Sequence, residues 1–76
     1  QADVIVANIL ADIIVLMLED AYRLLKDTGH LIISGIIEAK REMVLSACAK
    51  AGFVVEQQFN QRDWYAIILK KDLGEE

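Results

Sequence analysis

The sequence predicts an α/β fold in which strands and helices follow one another in the order β-α-β-α-β-β. Four short runs have the aliphatic and aromatic composition of strands, and two segments between them repeat apolar residues at helical spacing. The two strand–helix–strand steps predict parallel pairing with right-handed crossovers. The last two strands are joined by a turn too short for a crossover, so we expect a mixed sheet with a C-terminal antiparallel hairpin.

The composition indicates one small, ordered domain. The 76 residues are 55% hydrophobic and include no proline, whereas disordered chains are poor in apolar residues. A net charge of −4 argues against a surface that neutralises nucleic-acid phosphates or binds anionic membranes. The longest clean apolar run in the N-terminal part, Ile13–Leu18, is far shorter than the ~20 residues that cross a bilayer. We therefore expect no nucleic-acid partner and no membrane partner.

The first strand and helix occupy the N-terminal third of the chain. Val4–Ala7 is a continuous apolar run, typical of a strand buried on both faces. We predict that Asp12 caps a helix that continues to Lys26, because a carboxylate can accept the backbone N–H bonds of a first turn. Gly29 follows and can adopt the left-handed conformation that ends many helices.

The second strand and helix follow the same logic. His30–Ser34 is a second buried strand, which Gly35 interrupts. A helix is predicted over Glu38–Ala51, with Met43, Val44, Ala47 and Ala51 as its apolar stripe, and Gly52 as its C-terminal glycine.

The C-terminal strands are expected to differ in burial. Phe53–Phe59 is more polar and is predicted to form a sheet edge, and Asn60–Asp63 has the composition of a turn. Trp64–Lys70 is apolar enough to be a central strand, with Trp64 packed inside the hairpin. The charged segment Lys71–Glu76 is expected to fray.

Candidate chemistry lies after the first two strands, because ligands of open α/β sheets bind outside the carboxyl ends of the strands. Asn8 offers an amide oxygen and two N–H donors there, although it could simply turn the chain into the helix. Asp12 is interpreted first as a helix cap. Ser34 and Gly35 are either substrate contacts or a strand end followed by a tight turn.

The remaining reactive residue types do not form a recognisable catalytic or metal-binding set. His30 is the only histidine and has no partner at the spacing of a metal site or a catalytic triad, so we expect it to be solvated. Cys48, the only cysteine, is expected to behave as a small apolar residue, and it can form no intrachain disulfide, which fits a reducing compartment. The sequence therefore predicts no metal site.

Several segments of the chain carry a family resemblance. Residues 3–11, D-V-I-V-A-N-I-L-A, are similar to the fourth motif of class I S-adenosylmethionine-dependent methyltransferases, and in particular to ribosomal protein L11 methyltransferases. The similarity continues through L-L-K-D-T-G-H-L-I-I-S-G-I at 24–36, A-G-F at 51–53 and D-W-Y-A at 63–66. The matches cover essentially the whole chain, in order and with matching spacing.

This resemblance implies a partial Rossmann-like methyltransferase sheet with the spatial strand order first, second, fourth, third. Residues 1–76 would be the C-terminal half of a catalytic domain, since the family's glycine-rich motif and ribose-binding acid have no counterpart here. The chain also begins at Gln1 and enters strand-like sequence at once, which suggests that it starts inside a longer protein. S-adenosylmethionine is the implied cofactor, although most of its binding motif is missing from this chain.

The implied function is transfer of a methyl group from S-adenosylmethionine to amines of a ribosomal protein in the cytoplasm. By the same resemblance Asn8 is the candidate catalytic and cofactor-binding residue, and Ser34 and Gly35 are the candidate substrate-binding residues. Two alternatives remain open: a methyltransferase fragment for another amine, and a non-catalytic α/β interaction module. We expect the isolated chain to be inactive and to form a homodimer through the exposed edge of its first strand.

Overall fold

The computed structural model of the protein describes residues 1–74, which form four strands and two helices in the predicted order. The predicted tail lies partly outside the described residues, and Lys71, its first member, instead ends the last strand and is buried. The elements are β1 (Ala2–Ala7), α1 (Ala11–Leu24), β2 (Leu25–Ile37), α2 (Glu38–Ala51), β3 (Phe53–Gln61) and β4 (Trp64–Lys71).

The four strands form one mixed sheet in the spatial order β1-β2-β4-β3. β1 runs parallel to β2, whereas β4 is antiparallel to both β2 and β3. The hairpin turn between β3 and β4 consists of Arg62 and Asp63, and Arg62 has a φ of 58°. The predicted fold class, the strand order, the edge position of β3 and the central position of β4 are confirmed.

Both helices pack on one face of the sheet and against each other, and the core lies between these two layers. Strand residues therefore alternate between a covered and an uncovered face. On β1, Ala7 is buried but Val4 and Val6 are 51% and 67% exposed, so the expectation of burial on both faces is wrong for the described chain. The core comprises Ala7, Ile14, Leu18, Ala21, Leu25, Leu31, Ile33, Ile36, Val44, Cys48, Phe53, Ile67 and Leu69.

Helix α1 is shifted from its predicted bounds at both ends. Its N-cap is Leu10, without a side-chain hydrogen bond, so the assignment of Asp12 as the cap is wrong and Asp12 lies within the first turn. The helix ends at Leu24 because Leu25 turns into extended backbone and is fully buried in the core. Gly29 is consequently part of β2 and not the end of a helix.

Helix α2 has the predicted bounds, and Gly52 follows it with a φ of 103° and donates its N–H to the carbonyls of Cys48 and Ala49. Its buried face is centred on Val44 and Cys48, whereas the predicted stripe member Met43 is exposed. Burial raises the pKa of the Cys48 thiol to about 11.

Trp64 is 40% exposed, so the prediction that it packs inside the hairpin is wrong. It lies three residues before the buried Ile67 and therefore on the opposite, helix-free face of β4. Its neighbour Tyr65 does pack against the core.

His30 is partly exposed and has a partner that the sequence did not indicate. Its Nε2 lies 2.9 Å from a carboxylate oxygen of Glu56, the extra residue of a bulge in β3. None of the helices in residues 1–74 has the length and apolarity required to cross a membrane.

Candidate active site

A cavity of about 500 Å³ lies beside the carboxyl ends of β1 and β2 and the first turns of the two helices. The two strands are parallel, and Ala7 of β1 pairs with Ile33 of β2. The residues that follow Ala7 therefore lie beside the residues that follow Ile33. The sheet thus brings together two of the segments that the sequence singled out. The cavity is lined by Asn8, Ile9, Leu10, Ala11, Asp12, Gly35, Ile37 and Lys40.

A bulge in β2 shapes the floor of this cavity. Ile33 pairs with Ile67 and Ile36 pairs with Tyr65, so two residues of β2 lie opposite the single residue Ala66. The extra residues are Ser34 and Gly35, and bulges of this kind redirect side chains and often occur beside active sites. β2 then continues to Ile37, and Gly35 bends the strand but does not end it.

Gly35 makes room for the amide of Asn8. It has a φ of 79°, and a Cβ built on it would lie 2.8 Å from Oδ1 of Asn8. Such a distance is too short for a non-bonded contact, so the Asn8 side chain can occupy this position only because residue 35 is a glycine. Ser34 is half-buried and does not line the cavity.

Most of the cavity wall is apolar. Ile9, Leu10 and Ile37 are 42%, 76% and 51% exposed and contribute hydrocarbon surface around the Asn8 amide. A carboxamide in such surroundings can orient a ligand that carries N–H groups, because its oxygen is an acceptor and few other polar groups compete for the ligand.

Two opposite charges face each other at the cavity. Asp12 lies on the first turn of α1 and Lys40 on the first turn of α2, and Nζ of Lys40 is 3.7 Å from Oδ1 of Asp12. Both side chains are substantially exposed, so the pair remains accessible to solvent and to ligands.

A second group of contacts holds the start of α2 against β4. The Tyr65 hydroxyl donates a hydrogen bond of 2.5 Å to Glu38, and this bond raises the pKa of Tyr65 above its ordinary value. The Arg41 guanidinium lies 4.8 Å from the centre of the Tyr65 ring and donates a 3.3 Å hydrogen bond to Gln58. This arrangement fixes the corner that carries Ile37 and Lys40. The sequence gives no signal for this arrangement, because the partners are distant along the chain and form no local motif.

The other reactive residues lie away from the cavity. Cys48 is buried in the core, and His30 pairs with Glu56 near the start of the β1–β2 pairing. Within residues 1–74, no three histidine, cysteine, aspartate or glutamate side chains converge in a way that could hold a metal ion.

The strand order β1-β2-β4-β3 with two helices matches a methyltransferase fold, as comparison with solved structures shows. The crystal structure of an M1.HpyAVI–SAM complex superimposes with a TM-score of 0.75 over 93% of this chain and 45% of that chain. Its sequence identity is 14%, so this comparison establishes the fold alone. The ribosomal protein L11 methylase of Lactobacillus delbrueckii subsp. bulgaricus gives a TM-score of 0.87 at 28% identity, over 91% of this chain and 36% of that one.

The chain belongs to the ribosomal protein L11 methyltransferase family, whose family model matches residues 1–72. The L11 methyltransferase of Enterococcus faecalis is 77% identical over 71 residues, and that of Streptococcus pyogenes is 59% identical over the same length. In both comparisons the match covers 93% of this chain but only 22% of the relative. The resemblance stated from the sequence motifs is thus confirmed, and the chain spans about a fifth of the length of the relatives it matches.

Proposed function

We propose that residues 1–76 act as the C-terminal part of the catalytic domain of a longer methyltransferase, which methylates amines of ribosomal protein L11. Family membership supports the class of reaction. The observation that carries the proposal is the Asn8 amide, which is seated against Gly35 at the carboxyl edge of two parallel strands, in a largely apolar cavity. Cytoplasmic location follows from the proposed ribosomal substrate.

The cavity would take the methyl-bearing end of S-adenosylmethionine, which would supply an electrophilic methyl group on a sulfonium. Asn8 provides the one amide of the wall, and the aliphatic side chains of Ile9 and Leu10 would exclude water around the reacting groups. The residues that bind the rest of the cofactor would belong to other parts of the longer enzyme. The isolated 76 residues would therefore be inactive.

The proposed role of Asn8 is to position the acceptor amine. A neutral amine attacks a methyl carbon through its lone pair, and the Asn8 amide oxygen can accept an N–H of that amine and so aim the lone pair. Holding reacting atoms about 3–3.5 Å apart in the correct orientation is a large source of rate enhancement. Gly35 would contribute by keeping the Asn8 side chain in place, and Ser34 by allowing the bulge that brings Gly35 there.

The isolated chain would associate with a second copy of itself. β1 lies at one edge of the sheet and has unpaired backbone groups on its outer side, and such an edge is a template for strand pairing. Exposed apolar residues adjoin it, namely Val4, Val6, Ile13, Leu16 and Leu24. In the longer enzyme this surface would be covered by other parts of the same chain.

A segment exchange tests the catalytic proposal directly. Residues 1–72, the range that the family model matches, would replace the corresponding segment of the E. faecalis enzyme, and methyl transfer from S-adenosylmethionine to purified L11 would be measured. We expect the chimera to be active and Asn8→Ala to lower kcat about tenfold, which corresponds to one hydrogen bond of about 1.4 kcal/mol.

Gln57→Ala is the matched control, because Gln57 is an exposed amide on the edge strand β3 and does not line the cavity. Thermal unfolding would be recorded for each variant to separate loss of activity from loss of fold. An active chimera in which Asn8→Ala turns over normally would show that Asn8 is only structural. Methylation of another amine in place of L11 would reassign the substrate, and complete inactivity would favour a non-catalytic module.

A further inference from the structure

Asp12 and Lys40 are the only charged side chains among the eight residues that line the cavity. They belong to different helices and form an ion pair with an N–O distance of 3.7 Å, in which the Asp12 side chain is 72% exposed and that of Lys40 is 43% exposed. The pair is long and open to solvent, so it contributes little to the stability of the fold. Its position at the cavity requires another explanation.

Local helix electrostatics account for Asp12 but not for Lys40. A carboxylate in the first turn of a helix interacts favourably with the partial positive charge of that end, and Asp12 has this position in α1. A cation in the first turn of a helix is unfavourable for the same reason, and Lys40 is the third residue of α2. Lys40 therefore opposes the dipole of its own helix while its ammonium group lies beside the Asp12 carboxylate.

We propose that Asp12 binds the ammonium group of the incoming acceptor, and that Lys40 occupies the same carboxylate until the acceptor displaces it. This inference rests on the proposed function. An aliphatic amine such as a lysine side chain has an ordinary pKa near 10.4, so an acceptor of this kind arrives as an ammonium ion, the same chemical group that Lys40 carries. It would release one proton to water after binding, before the neutral amine reaches Asn8 and attacks. Asp12 is the one anionic group of the cavity wall, and the exposure of both partners permits the exchange.

The two partners consequently have opposite effects on substrate affinity. Asp12 attracts the acceptor, whereas Lys40 competes with it for the same carboxylate and repels it. A pair that only joins α1 to α2 would behave differently, because removal of either partner would loosen the same corner and weaken binding in the same direction. Changes in substrate affinity of opposite sign, when each partner is removed in turn, therefore distinguish a substrate-binding ion pair from a structural one.

The test uses the active chimera with the E. faecalis enzyme and measures KM and kcat for L11, with the equilibrium Kd of L11 as a readout that needs no turnover. Asp12→Asn should raise KM and Kd about two- to fivefold, the range that exposed ion pairs support, and Lys40→Gln should lower both. Both effects should shrink at about 0.5 M salt, because exposed charges are screened there. kcat should change little in either variant.

Asp20→Asn and Arg23→Gln are the matched controls, since these residues form an exposed ion pair of 2.7 Å on α1 and do not line the cavity. Each control changes the net charge by the same amount and sign as the corresponding cavity variant, and both should leave KM unchanged. Shifts of the same sign in Asp12→Asn and Lys40→Gln, or equal shifts in the controls, would overturn the inference and leave the proposed function intact. A chimera that neither binds nor methylates L11 would overturn the proposed function and this inference together.

Discussion

Replacement of Gly35 by alanine tests how the bulge in β2 serves the site. Two costs follow from the structure. Alanine at a φ of 79° is in the left-handed region, which costs roughly 1–2 kcal/mol for a residue with a Cβ. The new Cβ would also lie 2.8 Å from Oδ1 of Asn8, so the amide must swing away, since it is the end of a flexible side chain.

The free energy of unfolding should therefore fall by about 1–2 kcal/mol, almost all of it from the backbone. Activity should fall further than stability explains, to the level of Asn8→Ala, because the amide is displaced in one variant and absent in the other. The double variant should then be no slower than either single variant, which is the non-additivity expected of two residues in contact. The assays are urea unfolding and methyl transfer to L11, both with the segment-exchange chimera.

Another glycine supplies a control for Gly35. Gly52→Ala would strike the Tyr22 ring at 2.8 Å, remote from the cavity, and should destabilise the fold while kcat is retained. Normal turnover in Gly35→Ala, or losses that add when it is combined with Asn8→Ala, would refute the proposal that Gly35 acts by seating the amide.

Three further predictions concern the 76-residue chain itself. Trp64→Ala should lower the free energy of unfolding by only about 1 kcal/mol, because a side chain that is 40% exposed loses far less than the roughly 3–5 kcal/mol of a buried one. A urea unfolding midpoint shifted by the larger amount would contradict the structure. Burial raises the pKa of the Cys48 thiol from 9.0 to about 11, so the unfolded chain loses this proton at a lower pH than the folded chain. The free energy of unfolding should therefore fall as pH rises from 9 to 11. Cys48→Ala should flatten this pH dependence, and an unchanged slope would exclude the thiol as its source. Sedimentation equilibrium should give a dimer that Val6→Lys on the exposed edge converts to monomer, whereas a wild-type monomer would disprove self-association through β1.

Local pattern in the sequence was sufficient for the element order and for much of the topology. The bounds of α2 followed from helical spacing and a terminal glycine, and both are short-range properties of the chain. The pairing of β3 with β4 followed from the length of one turn. The central position of β4 and the edge position of β3 were indicated by their different polarity, because a strand with two neighbours is more deeply buried than one at an edge.

The end of α1 was decided by packing, whereas its start differs from the prediction without a buried contact at the N-cap, since Leu10 is 76% exposed. The first turn contains a good capping residue in Asp12, but the helix begins one residue earlier, at Ala11, with Leu10 as its N-cap. At the other end, burial of Leu25 outweighed the glycine signal at Gly29 and drew the chain into a longer strand. Capping preferences are typically worth about 1 kcal/mol, whereas burial of a leucine side chain is worth roughly 1.5–3 kcal/mol.

The site itself depends on contacts between residues that are distant in sequence. The sequence indicated Asn8 and Gly35 separately, at the ends of two strands, but only the parallel register of β1 and β2 and the bulge opposite Ala66 bring Gly35 against the Asn8 amide. The approach of Asp12 to Lys40 likewise requires that both helices start at the same edge of the sheet. Residue periodicity indicates which face of a helix or strand is apolar. Strand register and helix placement decide whether two polar side chains on different elements lie close together, and both arise only when the whole sheet packs.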